Sequence, residues 1–193
     1  MAGIGYSEPA STLRRGIPVP AGLVIHGSPI EGRGVFATRH FKVGEPVHWM
    51  DGERVSLIGC GWRIATRRLR FDDPLQIGPV SFIALDTFSV SINSSCDPTT
   101  GLRGRNELFA IREIEPGAEI TFDYSMTVLP SVFNRHWRMP CRCGAATCRG
   151  AIGNLDSVPP GRLADYAALG AIQDYMRPAL MARLAGRTDV RAA

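Results

Sequence analysis

The sequence predicts a mainly β fold of several small sheets. Three observations carry that prediction. Short apolar runs recur at close spacing through the first two thirds of the chain. Turns rich in glycine and proline separate them, and glycine alone accounts for 21 of 193 residues. Helical periodicity is confined to the end of the chain, after Pro159-Pro160.

Composition sets the outer bounds. With 193 residues and 45% hydrophobic content, the chain can bury one good core, which predicts one domain with a terminal extension. No run of about 18 apolar residues occurs, so a membrane span is not expected. The start, MAGIGYSEPASTLRRG, lacks the apolar stretch of a secretory signal, which leads to the expectation of a cytoplasmic protein. A net charge of +4 permits acidic partners but supplies no basic run long enough to require nucleic acid. Lys42 is the single lysine, so the other 21 of the 22 basic residues are arginines, a bias that reads as genomic base composition, with avoidance of self-modification by a lysine-directed enzyme as the alternative.

In chain order, residues 1–20 read as a flexible N-terminal arm rich in Gly, Pro and Ser. Leu23-Val24-Ile25 is a short strand, and Glu31-Gly32-Arg33-Gly34-Val35-Phe36-Ala37 is a glycine turn entering a second apolar run. Two glycines around Arg33 allow close approach of backbone to a ligand, although an ordinary hairpin has the same pattern. Lys42 to Val47 predicts a turn and a strand. Trp62 to Arg70 reads as a short basic helix or an irregular insert, followed by strands at Leu75–Ile77 and Val80–Leu85. Arg63, Arg67, Arg68 and Arg70 there read as a solvated face. Leu108–Ile111 and Glu119–Tyr124 are strands separated by the turn Glu115-Pro116-Gly117-Ala118. Leu163, Tyr166, Ala167, Gly170 and Ala171 fall at helical spacing, and Pro178 ends that pattern or starts another helix. The apolar face continuing through Ile172, Tyr175, Met176 and Leu180 reads as a cover for the core.

Chemistry concentrates in two places. Ile92-Asn93-Ser94-Ser95-Cys96-Asp97-Pro98 is a polar turn, and 45 residues after its cysteine comes Cys141-Arg-Cys143-Gly-Ala-Ala-Thr-Cys148. Three clustered thiols without a secretory signal argue for a metal rather than disulfides. Structural zinc takes four ligands, so a fourth sulfur is needed. Cys60 and Cys96 remain, and Cys96 is the candidate. Cys60, His26, His40 and His48 have no partners at metal spacing and read as structural or surface residues.

Taken together, the motifs resemble those of the SET-domain protein lysine methyltransferases with a zinc-binding post-SET segment, of the small bacterial type. The resemblance rests on Gly32-Arg33-Gly34-Val35-Phe36-Ala37, Asn93-Ser-Ser-Cys96-Asp-Pro98, Glu119-Ile-Thr-Phe-Asp-Tyr124 and Cys141-x-Cys143-x4-Cys148, in the family's order over roughly residues 23–150. It implies a β-clip fold of small curled sheets with a pseudoknot, a post-SET zinc loop and a C-terminal helical tail. The implied divisions are a SET domain over 21–128, a post-SET segment over 129–153 and a tail over 154–193. It also implies S-adenosylmethionine held by Gly32, Arg33, Gly34, Asn93, Ser94 and Tyr124. Tyr124 is the implied catalytic residue, and the implied substrate is a protein lysine, from a histone or another protein. Phe122 lies at the family's channel switch, where phenylalanine leaves room for di- or trimethylation. Cys96, Cys141, Cys143 and Cys148 are the implied zinc ligands, with Arg138, Arg142 and Arg149 available to offset their charge. Neither nucleic acid nor membrane is required, and oligomeric state is left open.

The chain departs from the family at four points. Ser94 stands where histidine is usual, Val90-Ser91 replaces an Arg-Phe pair, Thr99 replaces asparagine, and no tyrosine lies in the region upstream of Asn93 that would supply a second channel hydroxyl. Phe71, Phe82 and Phe88 are the aromatics available there. These departures keep open an alternative: a zinc-stabilised SET-like module that binds a protein or nucleic acid without catalysis.

Overall fold

A computed structural model of the protein describes residues 19–70, 73–131, 134 and 136–186. The expected N-terminal arm lies outside the described residues except for Val19 and Pro20, and so does Phe71. In chain order the first half contains β1 (Leu23–Gly27), β2 (Arg33–Ala37), β3 (Pro46–Trp49), β4 (Gly52–Ser56), α1 (Leu57–Ala65), β5 (Pro74–Gly78), β6 (Ser81–Leu85) and β7 (Asn93–Ser94). The second half contains β8 (Thr100–Arg103), β9 (Glu107–Ala110), β10 (Glu119–Phe122), β11 (Met139–Pro140), β12 (Ala151–Ile152), α2 (Pro160–Ala168) and α3 (Arg177–Leu184).

The strands form four small sheets, ordered β1-β2-β10-β7, β3-β9-β8, β4-β6-β5 and β11-β12. The mainly β expectation holds. The antiparallel pairs β1-β2, β5-β6, β8-β9 and β11-β12 join consecutive strands, and the site-bearing sheet adds two distant strands, β10 and β7, to the first of them. β10 pairs antiparallel with β2 through Glu119↔Phe36 and Ile120↔Val35, and parallel with β7 through Thr121↔Asn93 and Phe122↔Ser94. That parallel pair brings the two polar motifs together from 28 residues apart along the chain.

Thr99, at the third departure, strengthens the same crossing. Its hydroxyl donates to the Glu119 carbonyl at 3.0 Å and accepts from the Thr121 N–H at 3.0 Å, while its own N–H donates to Thr121 Oγ1 at 3.2 Å. Thr100 adds a bond from its hydroxyl to the Thr121 carbonyl at 2.8 Å. The stretch from Asn93 to Thr100 is therefore stitched to β10 by side chains as well as backbone.

Two readings of element boundaries change. The strand expected through Tyr124 stops at Phe122, because Asp123 accepts the Ser125 N–H and caps a 3-10 turn over Tyr124–Thr127. The helix expected near Trp62–Arg70 starts earlier, where Ser56 Oγ accepts the Gly59 N–H at 3.1 Å, and it ends at Ala65. A serine cap outweighed the arginine run as the start signal. The short strands at 52–56 and 100–103, and the two-residue strands of the cysteine segment, carry too few alternating residues to stand out in sequence.

Two apolar clusters hold the assembly. One gathers Val35, Phe41, Met50, Ile92, Leu108, Ile114 and Ile120 between the sheets. The other joins Phe109, Ile111 and Met126 to Leu163, Tyr166, Ile172, Met176 and Leu180, so the helical tail is packed onto the β domain. No helix among the described residues is long and apolar enough to cross a membrane.

Candidate functional site

The site is built around one end of β7 and β10. The Asn93 side-chain amide donates toward the carbonyls of Glu31 and Arg33 at 3.2 and 3.1 Å, Ser28 Oγ at 3.0 Å and Glu119 Oε1 at 2.8 Å. Two N–H groups facing four acceptors leave room for a ligand to take over part of this set. The Glu119 carboxylate also accepts from Ser28 Oγ at 2.8 Å. Neither Ser28 nor Glu119 stands out as a site residue in the sequence: Glu119 lies in the Glu119–Tyr124 motif, and Ser28 carries no signal beyond its place before the glycine turn.

Gly32 and Gly34 shape the turn for different reasons. Gly32 has φ +44, where a side chain is strained, and nothing within 4 Å of an added Cβ. Gly34 instead permits close approach: an added Cβ would lie 2.3 Å from Glu119 Oε1 and 2.9 Å from Ser28 Cβ. Arg33 between them is exposed, and its carbonyl is what Asn93 engages.

Tyr124 closes on the same point from the other side. Its hydroxyl donates to the Ile92 carbonyl at 2.7 Å, and its N–H donates to Ser94 Oγ at 3.2 Å. The phenol is thus anchored to the residue before Asn93 and the backbone to the residue after it. Ser94, at the first departure, is small enough to serve as that acceptor and is buried. Phe122 is buried beside Tyr124, with ring centroids 4.7 Å apart. Phe88 is buried against His48, and Phe82 lines an open groove of about 640 Å³ between the β5–β6 turn and Tyr175. Asn93, Phe122 and Tyr124 do not line that groove.

The four expected sulfurs converge. Sγ atoms of Cys96, Cys141, Cys143 and Cys148 all lie within 4.8 Å of one another. Tetrahedral zinc with Zn–S near 2.3 Å requires sulfur–sulfur edges of roughly 3.8 Å, and Cys96 and Cys141 are 3.7 Å apart. A disulfide needs roughly 2.05 Å. Backbone N–H groups face the sulfurs as they would face thiolates: Cys96 N to Cys143 Sγ at 3.5 Å, Arg149 N to Cys96 Sγ at 3.4 Å and Gly150 N to Cys148 Sγ at 3.4 Å. The directions differ within the cluster. Burial pushes the Cys96 and Cys141 thiols up. Burial opposes ionisation of Cys143 too, but the N–H groups of Cys96 and Ala145 and the neighbouring thiols outweigh it and bring that thiol down to about 6. The donor set fits zinc. Cys60 is buried in α1 outside this group, and burial raises its thiol.

Of the arginines expected to offset the cluster's charge, Arg149 acts on it directly, because its charge and its N–H both favour the Cys96 thiolate. Arg142 pairs with Glu31 at 2.6 Å, which ties the cysteine loop to the glycine turn, and Arg138 donates to the Trp137 carbonyl at 2.7 Å. Arg149 points its guanidinium at Asp123, with both contacts at 2.7 Å.

Comparison with known proteins places this geometry. The SET domain family model matches residues 32–125. Histone-lysine N-methyltransferase 2B of Homo sapiens is 31% identical over 143 residues, covering 65% of this chain and 5% of that protein. Histone-lysine N-methyltransferase TRX1 of Oryza sativa subsp. japonica is 29% identical over 173 residues, covering 79% of this chain and 15% of that protein. Among solved structures, KRYPTONITE in complex with mCHG DNA and SAH is similar at TM-score 0.52 and 26% identity, covering 67% of this chain and 28% of that one. The chain thus spans a small fraction of the length of these relatives.

Proposed function

Residues 32–125 belong to the SET-domain family, and from that premise we propose that the chain transfers a methyl group from S-adenosylmethionine to the ε-amine of a protein lysine. The observation that carries the reading is the convergence on Asn93. The glycine turn meets its side chain, and Tyr124 is bonded to both of its chain neighbours. Relatives named as histone-lysine methyltransferases support the substrate class, and the SAH held by the solved relative supports the cofactor.

When bound, S-adenosylmethionine supplies an electrophilic methyl on a sulfonium. The chain's task is alignment and control of protons. In-line displacement rewards a fixed approach of amine to methyl, and orientation of this kind supplies a large share of such barriers. The Tyr124 hydroxyl donates its hydrogen bond to the Ile92 carbonyl, so toward an amine N–H or a polarised methyl C–H its oxygen acts as an acceptor. An unperturbed lysine has a pKa of about 10.4 and must lose its proton to attack. Buried Phe122 beside Tyr124 offers an apolar wall that disfavours the ammonium form, and a nearby cationic methyl donor acts in the same direction. Phe122 places no hydroxyl at this wall, which suits di- or trimethylation. The four cysteines would hold zinc and fasten the segment after Met139 beside Asn93–Cys96.

The test is a thermal shift of zinc-loaded protein with S-adenosylmethionine, followed by transfer of labelled methyl to lysine-rich proteins. Stabilisation and lysine labelling support the reading. Stabilisation without turnover would mark a binding module instead, and no stabilisation would remove the cofactor from the account.

A further inference from the structure

We propose that Arg149 and Tyr166 are positioning residues for Tyr124, acting through Asp123. The inference rests on the methyl-transfer reading only for the role of Tyr124. Asp123 is the residue at which the chain leaves β10, and its backbone (φ −84, ψ 106) directs Tyr124 into the following turn. Its carboxylate is buried and accepts four bonds. Arg149 Nη2 and the Ser125 N–H reach Oδ1 at 2.7 and 3.0 Å, while Arg149 Nη1 and the Tyr166 hydroxyl reach Oδ2 at 2.7 and 3.2 Å. Three separate parts of the chain therefore fix one carboxylate: the turn itself, the cysteine loop and helix α2.

The partners are themselves constrained. Arg149 Nη2 also reaches Ser125 Oγ at 3.1 Å, and that oxygen accepts the Gly153 N–H at 3.1 Å. The Arg149 backbone N–H faces Cys96 Sγ, so one residue touches both the sulfur cluster and the carboxylate beside Tyr124. Tyr166 is buried in α2, and burial first, then the Asp123 charge, raises its phenol, which keeps its proton available for donation. The Arg149 and Asp123 side chains are 13% and 1% exposed, against 64% and 65% for Arg142 and Glu31. Solvent can replace the second pair but not the first.

This arrangement determines where the Tyr124 hydroxyl lies. A turn released at Asp123 loosens the Tyr124 N–H from Ser94 Oγ and its hydroxyl from the Ile92 carbonyl. Gly32–Gly34 and Asn93 are held by β2 and by Glu119 and Thr121 of β10, ahead of Asp123, and stay in place.

The experiment uses the full chain, zinc-loaded and labelled with 3-fluorotyrosine, with the Tyr124 fluorine line assigned through Tyr124→Phe. Arg149→Lys keeps the charge but cannot span both carboxylate oxygens. The Tyr124 line is expected to shift or broaden in Arg149→Lys, and less so in Tyr166→Phe. Zinc content should match wild type, kcat should fall at least about tenfold, and KM for S-adenosylmethionine should stay within about threefold. An unmoved Tyr124 line in both variants overturns the proposal. Loss of zinc from Arg149→Lys also overturns it, since Arg149 would then serve the cluster instead. Should Arg149→Lys fail to fold, Tyr166→Phe decides on the same line, because it removes one bond and no charge. A shifted line in a protein whose wild type transfers no methyl supports the positioning and overturns the proposed function separately.

Discussion

Replacing Gly34 with alanine puts a methyl group 2.3 Å from Glu119 Oε1 and 2.9 Å from Ser28 Cβ. Both cannot yield without disturbing Asn93, because the Glu119 carboxylate is the shared acceptor of Ser28 and Asn93, each at 2.8 Å. A hydrogen bond to a charged group contributes about 1.5–3 kcal/mol. Glu119 is only half-buried, so water can replace part of what is lost, and the lower figure applies to each bond. The sum is about 3 kcal/mol, which at about 1.4 kcal/mol per decade is roughly a hundredfold loss of S-adenosylhomocysteine affinity if expressed in binding. Expressed in folding, it lowers Tm by about 6–12 °C for a chain of this size. Calorimetric titration and a thermal melt read the two. Gly32→Ala is the internal control: its φ of +44 makes alanine cost about 1–2 kcal/mol, with nothing to strike. Affinity within threefold of wild type together with an unchanged Tm in Gly34→Ala, or a larger loss in Gly32→Ala, refutes the reasoning.

Other perturbations separate the remaining parts. Tyr124→Phe removes the hydroxyl held by the Ile92 carbonyl, so kcat should fall at least about a hundredfold while cofactor binding stays within about threefold, as read by single-turnover labelling and calorimetry. Phe122→Tyr introduces a hydroxyl at the buried wall and should shift product toward monomethyl-lysine by mass spectrometry; unchanged multiplicity would defeat that role. Cys96→Ser removes one corner of the sulfur cluster, and elemental analysis should show loss of zinc; full stoichiometry would assign the fourth ligand elsewhere. His48 supplies the pH dependence. Burial lowers its pKa from 6.5, with Asp86 and Asp51 opposing, so below 6.5 the unfolded chain binds the proton that the folded chain resists. Stability from this residue is full above pH 6.5 and declines with acidification, by at most about 1.4 kcal/mol per pH unit. Denaturant titrations of His48→Gln should show a flatter acid limb, and an unchanged limb would exclude His48 as its source.

Much of this was legible in the residues. The order of four short motifs anticipated the fold, and the C-x-C-x4-C spacing anticipated a sulfur cluster that the fold brings within 4.8 Å with Cys96 as its fourth member. What sequence could not show lies in side chains that act across the fold. Ser28 and Glu119 become part of the site only because β2 and β10 are neighbours, with Asn93 on the next strand. Asp123 read as one more residue of a strand, since capping by a side chain competes with continued pairing and local pattern does not decide between them. The departures gain roles in the same way. Ser94 receives the Tyr124 N–H, and Thr99 exchanges bonds with Thr121. Tyr166 looked like an apolar member of a helical face, and it is one, yet its hydroxyl reaches the carboxylate beside Tyr124.

The most direct measurement is an experimental structure of the zinc-loaded chain with S-adenosylhomocysteine and a lysine-bearing peptide. The account predicts the cofactor against Gly32–Gly34 and Asn93, with the lysine amine and the Tyr124 hydroxyl meeting at its sulfur. A cofactor bound elsewhere, or a Tyr124 phenol turned away from the amine, would contradict it.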